Sequence, residues 1–290
     1  MKRALIIKNA YSSLPSAAYQ TSRLKDEFSK LGVQAEILKN GSRPAFVGGG
    51  VECGYTGYDF CVYLDKDKYC ARMLEATWLR LFNRASAIEV CDDKMLTHIA
   101  LAGAAAMPET APSLLCYTPE AKPDADYLDR VAERLGFPLV VKESYGSLGR
   151  GVYKADDRAA LGELAERLNG APHLYQKFVA ESAGRDVRVI VIGGECAAAM
   201  ERRSELDFRS NIELGGKGAP RPIDAEMRHI CGVIAEKLGL DYCGVDLLLG
   251  RDGYLVCEVN SNAFFGGIEG VTGVNIAEKY ARYIYGKIYG

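Results

Sequence analysis

The chain has 290 residues, of which 48% are hydrophobic and 26% charged, with 36 Lys and Arg against 38 Asp and Glu. This is the ordinary globular range, and the length allows two or three small domains. The formal net charge of −2 gives no indication of a nucleic-acid partner, and the apolar stretch from Ile99 to Met107 is too short to span a bilayer.

The nine cysteines and the N-terminus predict a cellular compartment. The cysteine count is odd, no pair has C-x-x-C spacing, and several cysteines fall in apolar runs, which favours buried, reduced thiols. The N-terminal apolar run is closed by Lys8, which is typical of a first β-strand and not of a signal peptide. We therefore expect a soluble, cytoplasmic protein without membrane association.

Residues 1–91 are predicted to form a small open α/β domain, because short apolar runs such as Ala4–Ile7 and Phe60–Leu64 alternate with amphipathic helical stretches. The Gly-rich stretch Phe46–Gly54 lacks the G-x-G-x-x-G spacing, so a loop is favoured over a dinucleotide site.

A second unit is predicted for residues 92–174, with Asp92 as the N-cap of a helix through Met95–Ala105. Its further predicted elements are a strand Ser113–Cys116, a helix Ala125–Leu135, strands Leu139–Lys142 and Val152–Lys154, and a helix Asp157–Leu168. Residues 175–290 are expected to form an α+β domain with an antiparallel sheet. Its predicted elements are strands Tyr175–Val179, Asp186–Ile192, Glu195–Arg202, Tyr242–Leu249 and Tyr254–Asn260 with a helix Ala225–Leu238.

The last two strands carry a candidate metal site. A symmetric hairpin centred near residue 252 would place Asp246 opposite Glu258, and Asn260 follows Glu258 by two residues on the same face. Two carboxylates and an amide oxygen in one patch suit Mg²⁺. The alternative, solvated or salt-bridged residues on an outer face, stays open at this point.

A candidate phosphate loop follows the predicted strand that ends at Lys142. Gly146, Gly149 and Gly151 allow close backbone approach to phosphate oxygens, although the loop has no Walker A sequence and an ordinary hairpin turn is an alternative. Lys142 comes after an apolar lead-in, where a lysine usually requires an anionic partner.

With Lys142 and its loop, Asp186-Val-Arg188, and the Asp246, Glu258 and Asn260 set in chain order, the sequence resembles the ATP-grasp superfamily. Specifically, it is similar to the RimK-like ligases of the alpha-L-glutamate ligase type from Asp92 to Tyr283, notably in the strings Glu201–Gly216 and Gly267–Ala277.

The resemblance implies a mixed α/β and α+β fold of the ATP-grasp type. It comprises a small open N-terminal α/β domain (pre-ATP-grasp domain), a central subdomain and a C-terminal antiparallel-sheet subdomain, with ATP between the last two. The nucleotide-binding residues that it implies are Lys94, Lys142, Gly146, Ser147, Gly149, Gly151, Gln176, Lys177, Phe178, Val179, Asp186, Arg209, Ser210 and Asn211. Asp246, Glu258 and Asn260 are expected to hold two Mg²⁺ ions, with Mn²⁺ as a substitute.

The implied chemistry is ADP-forming: a carboxylate attacks the γ-phosphate, and an amine then attacks the resulting acyl phosphate. Arg202, Arg203 and Arg209 are the candidate catalytic residues, since a guanidinium binds carboxylate or phosphate bidentately. Salt bridges with neighbouring acidic residues in the same loop are the alternative for each arginine.

The implied partners are ATP, a carboxylate substrate (an amino acid, with glutamate as first choice) and an amine or peptide acceptor. The sequence leaves open whether the protein forms a homo-oligomer.

Two positions depart from the pattern of the resembling ligases. Lys177 replaces an acidic residue that is common in them, and Asn260–Phe265 replaces their turn of small residues and proline, which leaves the acceptor undetermined. The alternative function is a catalytically inactive ATP-binding regulatory module. Hydrolase and zinc-enzyme motifs are absent from the sequence.

Overall fold

Four parallel strands form the first sheet in the order β2-β1-β5-β6. The computed structural model describes residues 1–118, 121–147, 149–210 and 215–290. Helices α1 and α2 cover the first sheet, and its central strands are buried on both faces, as is usual for parallel strands. The elements are β1 (Lys2–Lys8), α1 (Pro15–Lys30), β2 (Val33–Lys39), β5 (Phe60–Leu64), α2 (Lys68–Ala76) and β6 (Arg80–Phe82). The expected open α/β arrangement is confirmed.

The Gly-rich stretch is a short antiparallel hairpin and not a plain loop. Its strands are β3 (Ala45–Val47) and β4 (Val51–Cys53), joined by a glycine turn in which the Gly48 amide donates to the Gly50 carbonyl. This hairpin was not predicted from the sequence, because its two strands have only three residues each and are separated by three glycines.

Two helices connect the first sheet to the rest: α3 (Ala85–Asp92) and α4 (Lys94–Leu101). Asp93 is the N-cap of α4, since its Oδ1 accepts from the Met95 amide at 2.9 Å. The prediction of Asp92 as N-cap is therefore wrong by one residue. Asp92 ends α3 and pairs with Lys66 at 2.8 Å.

The second sheet has the antiparallel order β7-β10-β8-β9, with α5 (Ala125–Leu135) and α6 (Arg158–Leu168) packed against it. Its strands are β7 (Thr110–Pro112), β8 (Leu139–Glu143), β9 (Val152–Ala155) and β10 (His173–Lys177). The strand predicted at Ser113–Cys116 lies earlier, at β7. β10 was assigned to the wrong sheet: it pairs with β8 through Leu174 and Lys142, so a boundary at 174/175 would cut this strand.

The third sheet is antiparallel in the order β13-β12-β11-β14-β15. It comprises β11 (Arg185–Ile192), β12 (Glu195–Arg203), β13 (Lys217–Pro220), β14 (Tyr242–Leu249) and β15 (Tyr254–Asn260), with α7 (Ala225–Leu238) packed on one face. A 3-10 turn, Ala180–Ser182, precedes β11. The last helices, α8 (Gly266–Thr272) and α9 (Ile276–Tyr289), complete the chain.

The first and third sheets are joined by a shared apolar core and by Asn83, which is buried. Asn83 Nδ2 donates to the carbonyls of Tyr242 at 2.7 Å and Ser261 at 2.9 Å, and Asn83 Oδ1 accepts from the amides of Asp241 and Tyr242. This junction sets the carboxyl ends of the first sheet beside the end of β15. Among the described residues, every helix is too short or too polar to cross a bilayer.

Candidate active site

A cleft with an empty volume of about 820 Å³ lies between the second and third sheets; we call it the main cleft. It is lined by most of the residues that the resemblance implied for the nucleotide. These are Lys94, Lys142, Ser147, Gly149, Gln176, Lys177, Phe178, Val179, Asp186, Arg209 and Ser210. Gly146 and Gly151 belong to the same loop but do not line the cleft, and Asn211 lies outside the described residues.

Two buried lysines lie on one side of the main cleft. Lys94 Nζ donates to the Gly146 carbonyl at 3.1 Å, and Lys142 Nζ donates to Cys257 Sγ at 3.4 Å. Within the described part of the chain, neither lysine forms a salt bridge with a carboxylate. Burial lowers the pKa of Lys94, and the neighbouring Lys142 contributes, while the negative charge of Glu258 opposes the shift. Two buried cations without a salt bridge in the described chain create a strong preference for an anionic ligand.

The Gly loop between β8 and β9 faces these lysines. Gly146, Gly149 and Gly151 all have positive φ values, which only glycine adopts without strain, and a Cβ at Gly151 would lie 2.8 Å from the Glu143 carboxyl. Arg209 ties the loop to the far side of the cleft, because its Nη1 donates to the Gly149 carbonyl at 2.7 Å.

A buried network of arginines and aspartates lines the floor of the main cleft. Arg202 donates from Nε to Asp186 Oδ1 at 2.7 Å, and its Nη2 lies 3.1 Å from Asp246 Oδ2. Arg188 binds Asp246 bidentately at 2.7 and 2.6 Å. Burial acts to raise the pKa of Asp246, but Arg188 and Arg202 hold this pKa below its usual value. Burial raises the pKa of Asp186 despite its pairing with Arg202.

Asp246 and Glu258 are direct partners in the β14–β15 ladder, and Gly244 pairs with Asn260. The predicted register is confirmed, although a β-bulge directly after Asp246 makes the hairpin asymmetric. Asp246 and Glu258 line the main cleft, while Asn260 and Glu258 line a second cavity. Glu258 therefore lies where the two spaces meet.

The oxygen donors here fit a magnesium ion. Asp246 uses three of its four acceptor positions on guanidinium groups, which leaves one position at Oδ1. Glu258 and Asn260 form no side-chain hydrogen bond with any described residue, so their oxygens are free to coordinate. The described ranges contain no group of three or more His, Cys, Asp or Glu that could hold a metal alone. A carboxylate–amide set of this size suits Mg²⁺ completed by phosphate oxygens and water.

The three candidate catalytic arginines are not brought together. Arg202 and Arg209 line the main cleft, but Arg203 is exposed, with 66% of its side chain accessible, and pairs with Glu201. The expectation of a cleft role for Arg203 fails because successive side chains of a strand point to opposite faces, and Arg202 takes the inward position on β12.

Several residues at the site were missed by sequence reasoning. Arg188 was named in the string Asp186-Val-Arg188 but given no role, although it lies two residues after Asp186 and therefore on the same face of β11. Cys257 and His98 carried no usable signal. His98 is buried beneath the cleft next to Gln176, with Nε2 atoms 3.2 Å apart, and burial lowers its pKa to about 4, so the ring is neutral at pH 7.

Comparison with known proteins identifies the sequence family. A family model described as a RimK-like ATP-grasp domain matches residues 91–284. Human N-acetylaspartylglutamate synthase A is 36% identical over 208 residues, which cover 70% of this chain and 52% of that protein. A probable alpha-L-glutamate ligase of Klebsiella pneumoniae strain 342 is 42% identical over 162 residues, covering 55% of this chain and 54% of that protein.

Among solved structures, the ATP-grasp ligase PsnB complexed with a minimal precursor, Mg and ADP has the same fold. Its TM-score is 0.72 with 17% sequence identity, covering 98% of this chain and 97% of that chain. This chain spans about half the length of the curated relatives that it matches first. The family model covers well over half of the present sequence, and the chain belongs to the RimK-like ATP-grasp family.

Proposed function

We propose that this protein is an ATP- and Mg²⁺-dependent ligase that joins a carboxylate to an amine through an acyl phosphate and releases ADP. The observation that carries the proposal is the composition of the main cleft. Two buried lysines without carboxylate partners in the described chain face Glu258, a carboxylate without a salt bridge there. Cations for phosphate and oxygen ligands for magnesium in one cleft suit a magnesium–nucleoside triphosphate complex.

Each side of the cleft has a distinct role in this proposal. Lys94 and Lys142 bind phosphate oxygens and offset the charge that develops during phosphoryl transfer. The Gly loop covers the phosphates and excludes water from the hydrolysable intermediate, and Arg209 holds the loop in place. Arg202 fixes Asp186 at the ribose end and Asp246 at the phosphate end.

Magnesium would supply electrostatic stabilisation of the transferring phosphoryl group. Asp246, Glu258 and Asn260 would hold it, and we propose two ions, with Mn²⁺ able to substitute. Gln176–Val179 would receive the adenine along their backbone, because all four residues line the cleft at the end of β10.

The substrates are proposed from the names of the relatives. Alpha-L-glutamate ligase and N-acetylaspartylglutamate synthase both refer to glutamate, so glutamate is the first substrate to test, together with a carboxylate, amine or peptide partner.

The nine free cysteines support a cytoplasmic location, where thiols stay reduced. We propose three units, as expected from the sequence (1–91, 92–174 and 175–290), but with the second boundary moved to the end of β10 at Lys177, because β10 pairs with β8.

ADP formation tests the proposal. The protein is incubated with Mg-ATP and each of the twenty amino acids, first glutamate, with peptides, small carboxylates and small amines as the second substrate. We expect ADP to form only with a complete substrate pair, and Glu258→Gln to abolish it.

Glu133→Gln is the matched control, since Glu133 is exposed on α5, far from the cleft, and should retain wild-type activity. Tight ATP binding without ADP formation for any pair would overturn the ligase and favour an inactive ATP-binding module.

A further inference from the structure

The second cavity is lined mostly by residues that do not line the main cleft. It lies between the first sheet and the end of β15, has an empty volume of about 960 Å³ that is partly open to solvent, and shares Ser147 and Glu258 with the main cleft. A molecule in this cavity would therefore meet the nucleotide at Glu258. The cavity also touches Asn9 and Asp65, which directly follow β1 and β5.

Asn9 and Asp65 occupy a favoured position in the first sheet. In the order β2-β1-β5-β6 the chain adds β2 on one side of β1 and β5 on the other, so a topological switch point lies between the parallel strands β1 and β5. Open parallel sheets bind ligands at such a switch point, outside the carboxyl ends of the strands. The polar residues at these two strand ends thus border a cavity where the topology alone favours a ligand.

Asp65 is a buried carboxylate with an incomplete set of partners. It is 5% exposed, and its Oδ1 accepts from Asn9 Nδ2 at 3.0 Å and from the Lys66 amide at 2.7 Å. Its Oδ2 has no donor among the residues that the structure describes. The Lys66 ammonium does not compensate this charge, because it pairs with Asp92 at 2.8 Å. A buried carboxylate oxygen without a donor costs free energy unless a ligand supplies one.

A second acceptor and a cation border the same cavity. Asn262 Oδ1 is likewise buried without a donor in the described chain. Arg188 directs Nε and Nη2 to Asp246, while its Nη1 forms no hydrogen bond with any described residue. Two acceptors and one guanidinium nitrogen match a zwitterion: acceptors bind an ammonium group, and the guanidinium binds a carboxylate.

We infer that Asp65, together with Asn262, binds the ammonium group of an α-amino-acid substrate in the second cavity. The inference rests on the ligase activity proposed above and names the residue that selects an amino acid over analogues without the amine. Asp65 is then a specificity-determining residue in the first sheet, outside the region matched by the family model.

The test compares an amino acid with its 2-hydroxy analogue, which replaces the ammonium by a hydroxyl group. The amino acid is the one that supports most ADP formation in the screen above, and the analogue is measured as a competitive inhibitor. Asp65→Asn keeps the Oδ1 acceptor and the side-chain shape but removes the charge at Oδ2. Asp26→Asn, the same substitution at an exposed position of α1, is the matched control.

We expect Asp65→Asn to raise KM for the amino acid by about 10- to 100-fold, the effect of losing one charge-assisted hydrogen bond. KM for ATP and the inhibition constant of the hydroxy analogue should change less than about twofold, so that discrimination between the two ligands collapses. Asp26→Asn should match the wild type throughout.

The outcomes separate this inference from the proposed function. Absence of ADP formation by the wild type with every substrate pair overturns both. A wild type that turns over, with equal discrimination in Asp65→Asn, overturns the assignment of Asp65 alone. If Asp65→Asn does not fold, Asn262→Leu carries the same comparison, because it removes the second acceptor and leaves Asp65 intact; unchanged discrimination there also overturns the inference.

Discussion

Asp246 and Glu258 face each other across the β14–β15 ladder but have opposite surroundings. Asp246 is buried and holds two guanidinium groups, from Arg188 and Arg202, whereas Glu258 forms no salt bridge with any described residue. One carboxylate is part of a buried charge network, and the other is free to act on a ligand. The two residues should therefore respond differently to the same substitution.

Asp246→Asn should destabilise the protein by about 3–5 kcal/mol, since it leaves two buried guanidinium groups with one fewer counter-charge. Glu258→Gln should change stability by about 0.5 kcal/mol or less while abolishing ADP formation. Urea unfolding measures both free energies. Equal losses of stability in the two variants would contradict this distinction.

Arg209→Ala should free the Gly loop, because it removes the hydrogen bond from Nη1 to the Gly149 carbonyl. We expect KM for ATP to rise about tenfold and hydrogen exchange of the loop amides to accelerate. Arg203→Ala is the control: this side chain is exposed outside the cleft and should leave both quantities unchanged. A loss of activity in Arg203→Ala comparable to that in Arg209→Ala would refute the placement of these arginines.

His98 should make the protein sensitive to acid. Burial lowers its pKa from 6.5 to about 4 in the folded state, so the unfolded state binds more protons between these values and stability falls as pH decreases through this window. Between pH 7 and pH 4 the wild type should lose about 3 kcal/mol more than His98→Gln, which cannot titrate. Urea midpoints at several pH values give the comparison, and parallel curves would exclude this role.

Asp65→Asn should raise the melting temperature at pH 7 even though it weakens substrate binding. Burial raises the pKa of Asp65, so its ionised form is disfavoured in the folded protein, and the neutral amide avoids this cost. The gain should shrink as the pH is lowered, because protonation of Asp65 removes the buried charge in the wild type as well. Thermal unfolding at pH 7 and at lower pH tests this, and a lower melting temperature at pH 7 would show that Asp65 is structural.

Most strands of the third sheet were predictable because apolar runs and the turns between them can be recognised in the sequence. β14 and β15 are joined by a Gly-bounded turn, and β11 and β12 are largely apolar runs separated by Gly193-Gly194. β13 was not foreseen, since Lys-Gly-Ala-Pro has no apolar alternation and lies at a sheet edge. β10 was recognised as a strand, but its apolar pattern does not specify which sheet it joins.

The main cleft was largely foreseen, whereas the second cavity was not. Lys142, Asp186 and Glu258 each belong to a recognisable string in the sequence, and the fold brings these strings together. Asp65 belongs to no motif, and Asn262 lies in the stretch Asn260–Phe265, which was noted only as a departure from the resembling ligases. The two residues lie far apart in the chain. Only the packing of the first sheet on the third makes them neighbours of one cavity, and no local pattern encodes that packing.

The four hydrogen bonds of Asn83 have a consequence for the order in which ligands can enter. They fasten the first sheet to the start of β14 and the end of β15, and separating these two parts would break a buried polar cluster. We therefore expect opening and closing at the second sheet, which carries the Gly loop. Apart from Ser147 of that loop, the residues named at the second cavity belong to the two fastened parts, so we expect its occupant to bind before, after or without the nucleotide.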